Sequence, residues 1–370
     1  MPPDDSNIET PDTNPVNPGT GPVDPGIPPD PAVTEVLCRS IGLDASPPPR
    51  VVDIIMAIDN SSAMADEIAS VQDNINAHFA ELLDQSRVDY RVILVSEHGR
   101  AVDRRVCIKA PLGGSLTCDP PPSVPMNGLK FFHYDQQISD RDSLFQLYVT
   151  YDKTDRHGLA QGGWRSWLRP GSMRVFIEVS GGDDLVLATI DSFETGLAQK
   201  GFFPSSTQRE YTFHSIVGVP ANSPVSAPWL STAPLMSERC ATAALPGTRF
   251  QTLSVRTGGL RFPVCEFLQY GAAFEAMALE IVRAAGVRCE ITPPPPPANF
   301  HYGPIAVEYT PTGGTAEHLA PVPEPSGCSA TGFLRDAATD RVTLCPQACL
   351  RLTADASASI AAHYTCVMSP

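Results

Sequence analysis

The sequence predicts an α/β protein: a doubly wound, mostly parallel sheet, followed by a small disulfide-rich β module at the C-terminus. Three observations lead there. Short apolar runs, beginning with Val51–Ile58, alternate with amphipathic stretches as far as Gly286. A proline run, Pro293 to Pro297, then interrupts the chain. Beyond it, residues 300–370 hold four cysteines but few long apolar runs.

In chain order, residues 1–33 are rich in Pro, Asp, Gly and Thr, with the loose repeats Pro-Val-Asn-Pro-Gly and Pro-Val-Asp-Pro-Gly. This composition cannot bury a core and reads as an extended tether. It shows no charged segment followed by an apolar one, so no signal peptide is visible in it. Val51–Ile58 stops at Asp59, as a strand buried on both faces of a parallel sheet does. Met64, Ile68, Val71, Ile75, Phe79 and Leu82 follow at helical spacing. Asp66 and Glu67 in the first turn suit the helix dipole.

Tyr90–Val95 is a second strand and Lys130–Asp135 a third; between them, residues 97–128 form a long insertion. Ser139–Ser143 offers caps for a helix carrying Leu144, Leu147 and Tyr148. Arg174–Val179 is the next strand and ends in Ser-Gly-Gly-Asp-Asp184. A helix near 185–199, a strand over Tyr211–Val219, a helix over 249–257 capped by Gly258, and a strand over Leu260–Val264 follow. A helix marked by Phe274, Met277 and Ile281 completes the alternation, which predicts the doubly wound sheet. The expected organisation is a tether (1–33), an α/β domain (34–290), a proline-rich linker (291–299) and a β module (300–370). The module contains strand-like pieces at Ile305–Tyr309 and Val342–Leu344, and needs covalent staples because so few residues bury little.

The formal charge of -15 argues against nucleic acid or an anionic membrane surface as partner, since phosphates need a basic footprint. No apolar run approaches the eighteen residues or so of a bilayer span. Ten cysteines without a Cys-x-x-Cys pair predict disulfides and export to an oxidising compartment. Cys38 with Cys289, which bracket the α/β domain, is the favoured long-range pair. Cys107 with Cys118 and Cys240 with Cys265 follow, leaving Cys328, Cys345, Cys349 and Cys366 to pair among themselves; sequence alone does not decide these pairings.

Asp59-Asn-Ser-Ser-Ala-Met64, placed after an apolar strand and before an amphipathic helix, resembles the start of the metal-ion-dependent adhesion site of von Willebrand factor A-type (vWA) domains, Asp-x-Ser-x-Ser. Arg256-Thr-Gly-Gly-Leu260 is similar to the segment before the last strand in that family. The resemblance covers about residues 48–288; with the C-terminal cysteines it extends to secreted vWA lipoproteins of myxobacteria. It implies a Rossmann-like sheet whose second strand is antiparallel at the edge. It also implies a non-enzymatic adhesion or ligand-binding protein at the cell surface or outside the cell, recognising a protein or a surface polysaccharide. A lipid anchor upstream of the tether would be the sole tie to a membrane.

The resemblance further implies a divalent ion (Mg2+, Ca2+ or Mn2+) held by Asp59, Ser61, Asp142 and Asp183. Mg2+ takes about six oxygens in octahedral array, and a strand-to-helix turn supplies some of them. Three departures weaken the motif. Ala63 stands where the second serine belongs, and Arg141 lies near the place of the family threonine. Gly181 occupies the place of a family aspartate, with Asp183 and Asp184 just beyond. The competing reading makes Asp59 and its serines a turn and a helix cap. A docking protein of the cell envelope, working without metal, is the corresponding alternative function.

Other features carry less. Asn60-Ser-Ser62 matches a glycosylation sequon, but at the inner edge of a strand turn it reads as structural. Asp135 and His133 alternate on one strand, as packed residues also do, and the eight histidines show no ligand spacing. Trp164 and Trp167 share a helical face, which fits core packing; a partner- or sugar-binding patch is the alternative. No nucleophile elbow or phosphate loop is present.

Overall fold

A computed structural model describes residues 36–44, 50–86, 88–99, 103–187, 189–203, 210–286, 289–355 and 357–368. The tether assigned to residues 1–33 lies outside the described residues. Two sheets organise the chain. After β1 (Val36–Asp44) come β2 (Val52–Ile58), β3 (Tyr90–Ser96), β4 (Phe131–Asp135), β5 (Met173–Val179), β6 (Tyr211–Val217) and β7 (Arg261–Pro263). The last six form one sheet in the order β4-β3-β2-β5-β6-β7, every pair parallel. The strand order reverses between β2 and β5. The second strand of this sheet, β3, is interior and parallel, not the antiparallel edge strand that the resemblance implied.

β2 shows why such a strand reads as unbroken apolar sequence. Ile54, Met56 and Ile58 belong to one buried cluster, Ile55 and Ala57 to another on the opposite face. Against the first face lie α1 (Ala65–Asn74), α2 (Glu81–Gln85) and α6 (Tyr270–Ala284); against the second lie α3 (Ser143–Thr150), α4 (Ile190–Gln199) and α5 (Thr248–Thr257). Between α1 and α2 the helix runs through a π-helical segment, Ile75–Ala80. Its wider turn advances the apolar stripe by one residue, so Leu83 is fully buried and Leu82 only partly. The helix expected near 185–199 starts at Ile190, because the Asp184 carboxylate holds the Val186 and Leu187 amides in a turn. Gly258, at φ 80°, ends α5 as expected, and the next glycine lies where a Cβ would meet the Phe213 carbonyl at 1.9 Å.

The second sheet has seven strands in the order β1-β13-β9-β10-β11-β12-β8, of mixed direction. It comprises β1 with β8 (Glu290–Ile291), β9 (Phe300–Thr310), β10 (Glu317–Val322), β11 (Gly332–Arg335), β12 (Val342–Leu344) and β13 (Ser359–Met368), and α7 (Pro346–Ala354) joins it. The N-terminal strand, which the sequence assigned to the α/β segment, thus pairs along β13. This pairing corrects the disulfides. Cys38 bonds Cys366, not Cys289, with Cα atoms 5.6 Å apart. Cys289 bonds Cys349 and Cys328 bonds Cys345, so the four C-terminal cysteines do not pair among themselves. Cys107–Cys118 and Cys240–Cys265 form as expected. No cysteine among the described residues is free, and this degree of cross-linking belongs to an oxidising, extracellular-type environment. Val52, Ile281, Tyr302 and Tyr364 share one buried cluster, so the two sheets have a common core. No helix among the described residues is long and apolar enough to cross a membrane.

Candidate functional site

The rim at the carboxyl ends of the parallel strands, where the strand order reverses, is the usual ligand crevice of an open α/β sheet. Asp59 leaves β2 there. Its amide donates to the Val179 carbonyl (2.9 Å), which ties it to the end of β5. Its Oδ1 accepts the Ser61 amide (2.7 Å) and its Oδ2 accepts the Ser180 hydroxyl (3.1 Å). Burial raises the Asp59 carboxyl to about 6; the bonds from Ser61 and Ser180 oppose that shift, and nearby Asp140 reinforces it. Ser61 precedes a short 3-10 turn, Ser62–Met64, without capping it through its own side chain, and Asp59 holds the Ser61 amide in the turn that leads into it.

The other expected carboxylate ligands, Asp142 and Asp183, are also bonded by the chain itself. Asp142 accepts the Ser139 amide (2.7 Å) and hydroxyl (2.8 Å) on Oδ1 and the Gln146 side chain (2.8 Å) on Oδ2. Asp183 accepts the amides of Asp184 (3.0 Å) and Arg249 (3.1 Å), and burial raises it also to about 6. Among the described residues no three His, Cys, Asp or Glu side chains are gathered so as to hold an ion. The carboxylates of Asp59, Asp142 and Asp183 each accept bonds from the protein's own donors. At Gly181, where the family carries an aspartate, a Cβ would sit 3.3 Å from the Met64 sulfur.

Three residues outside the expected ligand set organise the rim. Asn60 is fully buried; its Nδ2 donates to Ser96 Oγ (2.9 Å) and the Arg104 carbonyl (2.7 Å), and its Oδ1 accepts the Glu97 amide (2.8 Å). That excludes it as a glycan acceptor. Asp184 reaches across to accept the Phe145 amide (2.9 Å), capping α3 from another loop. Glu178, inside β5, accepts the Ser143 hydroxyl (2.7 Å); burial, with Asp59, Asp184 and Asp142 nearby, holds its carboxyl well above the usual range. The signal for Glu178 was a lone acid in an apolar strand. Asp184 was noted only as a neighbour of Gly181; its capping role had no signal, because a cap supplied across space leaves no local spacing.

Beside this lies a second cluster. Asp135, at the end of β4, does not meet His133 through its side chain. It accepts the His98 amide (2.9 Å) and His157 Nε2 (2.8 Å), and pairs with Arg156. His133 turns to the Ser96 carbonyl (3.0 Å), and burial lowers it to about 4. Trp164 and Trp167 are core: Trp164 is fully buried and bonds the Leu147 carbonyl (3.1 Å), and Trp167 stacks on Phe132 at 5.3 Å. Compared with models of known protein families and with curated proteins, the chain matches none.

Proposed function

We propose that this chain is an exported, non-enzymatic binding protein on a vWA-like, doubly wound scaffold, which presents the carboxyl rim of its parallel sheet to a surface or protein partner. One observation carries the reading: both long insertions leave the rim end of the sheet and each is locked there by a disulfide. Cys107–Cys118 closes the β3–β4 insertion, and Cys240 of the insertion after β6 bonds Cys265 just past β7. Arg261 fixes the second insertion further, donating to the carbonyls of Leu230 (2.7 Å), Ala233 (2.8 Å) and Pro234 (2.9 Å). Rim loops also expose Leu185, Val186, Leu230 and Leu235, apolar side chains of the kind that partner surfaces cover. An N-terminal tether to a lipid anchor would place this rim away from the envelope.

The closed carboxylates favour docking without a cation. Calorimetric titration with Mg2+, Ca2+ or Mn2+ is therefore expected to give no heat that Asp59→Ala removes. The rim itself is tested by binding of the full chain to envelope surfaces of the source cells. Leu185→Glu with Val186→Glu should abolish that binding while leaving the melting temperature unchanged; full retention would refute the assignment.

A further inference from the structure

We propose that the groove between the β3–β4 insertion and the loop after α3 binds an acidic sugar, a uronate unit of a polysaccharide, with Arg105 and Arg156 on its carboxylate and His157 on a ring hydroxyl. This adds a ligand class to the rim reading above.

The groove has a volume of about 550 Å³, and its lining includes Arg105, Arg156, His157, Ser123 and the rings of Pro120–Pro122. Behind it the Asp135 side chain is 1% exposed. Arg156 Nη2 is committed to Asp135 and to the His98 carbonyl (2.9 Å), which fixes the guanidinium in place. Its Nη1 has no partner among the described residues. Arg105 donates from Nη2 to the Cys118 carbonyl at 3.4 Å, a long bond, and its Nη1 is likewise open among the described residues. Asp119, 3.8 Å from Arg105, is fully solvated and competes weakly. Two guanidinium groups with open donors on one groove suit a carboxylate.

The third group narrows the ligand. His157 Nε2 lies 2.8 Å from Asp135 and 3.1 Å from Arg156 Nε, so the ring is held beside both groups. No described residue bonds its Nδ1, and a hydroxyl, which both donates and accepts, can meet that nitrogen in either tautomer. An open ring nitrogen beside two guanidinium groups matches a carboxylate with a neighbouring hydroxyl, which a uronate supplies. An acidic peptide side chain brings the carboxylate alone. The proline rings offer an apolar wall to the C–H face of a pyranose, and the Pro122 carbonyl is held by His98 Nε2 (2.8 Å). With a net charge of -15, general attraction of polyanions cannot substitute for these local contacts.

The test is calorimetry of the full chain with a galacturonate trimer, a neutral galactose trimer and an oligoglutamate, in wild type and in Arg105→Gln. The expected result is binding of the uronate alone, weakened about tenfold or more in the variant and by added salt. Absence of uronate binding, equal binding of oligoglutamate or neutral sugar, or an unchanged affinity in Arg105→Gln would each overturn the proposal. Should Arg105→Gln melt abnormally, Arg105→Lys keeps the charge but not the fork, and is expected to weaken uronate binding as well; an unchanged affinity there overturns it. Surface binding that fails with Leu185→Glu while no uronate binds would sink this inference and leave the rim reading standing; uronate binding without dependence on Leu185 would do the reverse.

Discussion

Asp59 sets the pH behaviour of the rim. Between about pH 4 and 6, a carboxyl raised from 3.8 to about 6 by burial is protonated in the folded chain while its unfolded counterpart is ionised. Its contribution is therefore full below about pH 4 and is lost as pH rises through about 6. Asp183 works in the same sense. Asp59→Asn, neutral at every pH, is expected to flatten the fall in melting temperature between pH 4 and 6 relative to wild type. A pH profile parallel to that of wild type would contradict this origin. Asn60 beside it has both side-chain atoms bonded to the ends and loops of neighbouring strands. At this scale the sequence offered a turn as the alternative to an ion ligand at Asp59, and the turn is present, because an aspartate bonding its own backbone two residues on is a local device. Nothing local announced that Ser180 or Asp140 would stand around it.

Among elements, legibility followed periodicity. The β2 strand and the α1 stripe were readable because burial on two faces and burial on one face leave different repeats. The π-helical segment Ile75–Ala80 was not, since its extra residue shifts the stripe without breaking it. That shift is measurable: Leu83→Ala should cost about 2–5 kcal/mol as a fully buried leucine, whereas Leu82→Ala should cost clearly less. Urea unfolding of the two variants distinguishes them, and equal losses would mean the stripe had not moved. The cap on α3 shows the other limit, because Ser139–Ser143 contained several local candidates and the Phe145 amide is taken by Asp184 from the loop after β5.

For the whole molecule, alternation predicted the parallel sheet, but not the seven-stranded sheet, whose first strand comes from one end of the described chain and whose neighbour comes from the other. Proximity of domain ends suggested Cys38 with Cys289; the pairing of β1 with β13 puts Cys38 on Cys366 instead. A register between strands so far apart in sequence leaves no trace in either segment alone. Replacing Cys38 and Cys366 by serine is expected to lower stability by about 2–5 kcal/mol, read by thermal melting under non-reducing conditions. The same melt in wild type with added reductant should fall further, since four other bridges open as well.

The clasp between β1 and β13 also imposes an order in time. During synthesis β1 emerges from the ribosome before every other described strand, while β13 emerges after them all. The parallel sheet draws its strands from the span between them and has its partners early. Cys38 therefore cannot close its bridge until β13 has been made, and closure of that bridge reports that every described strand has arrived.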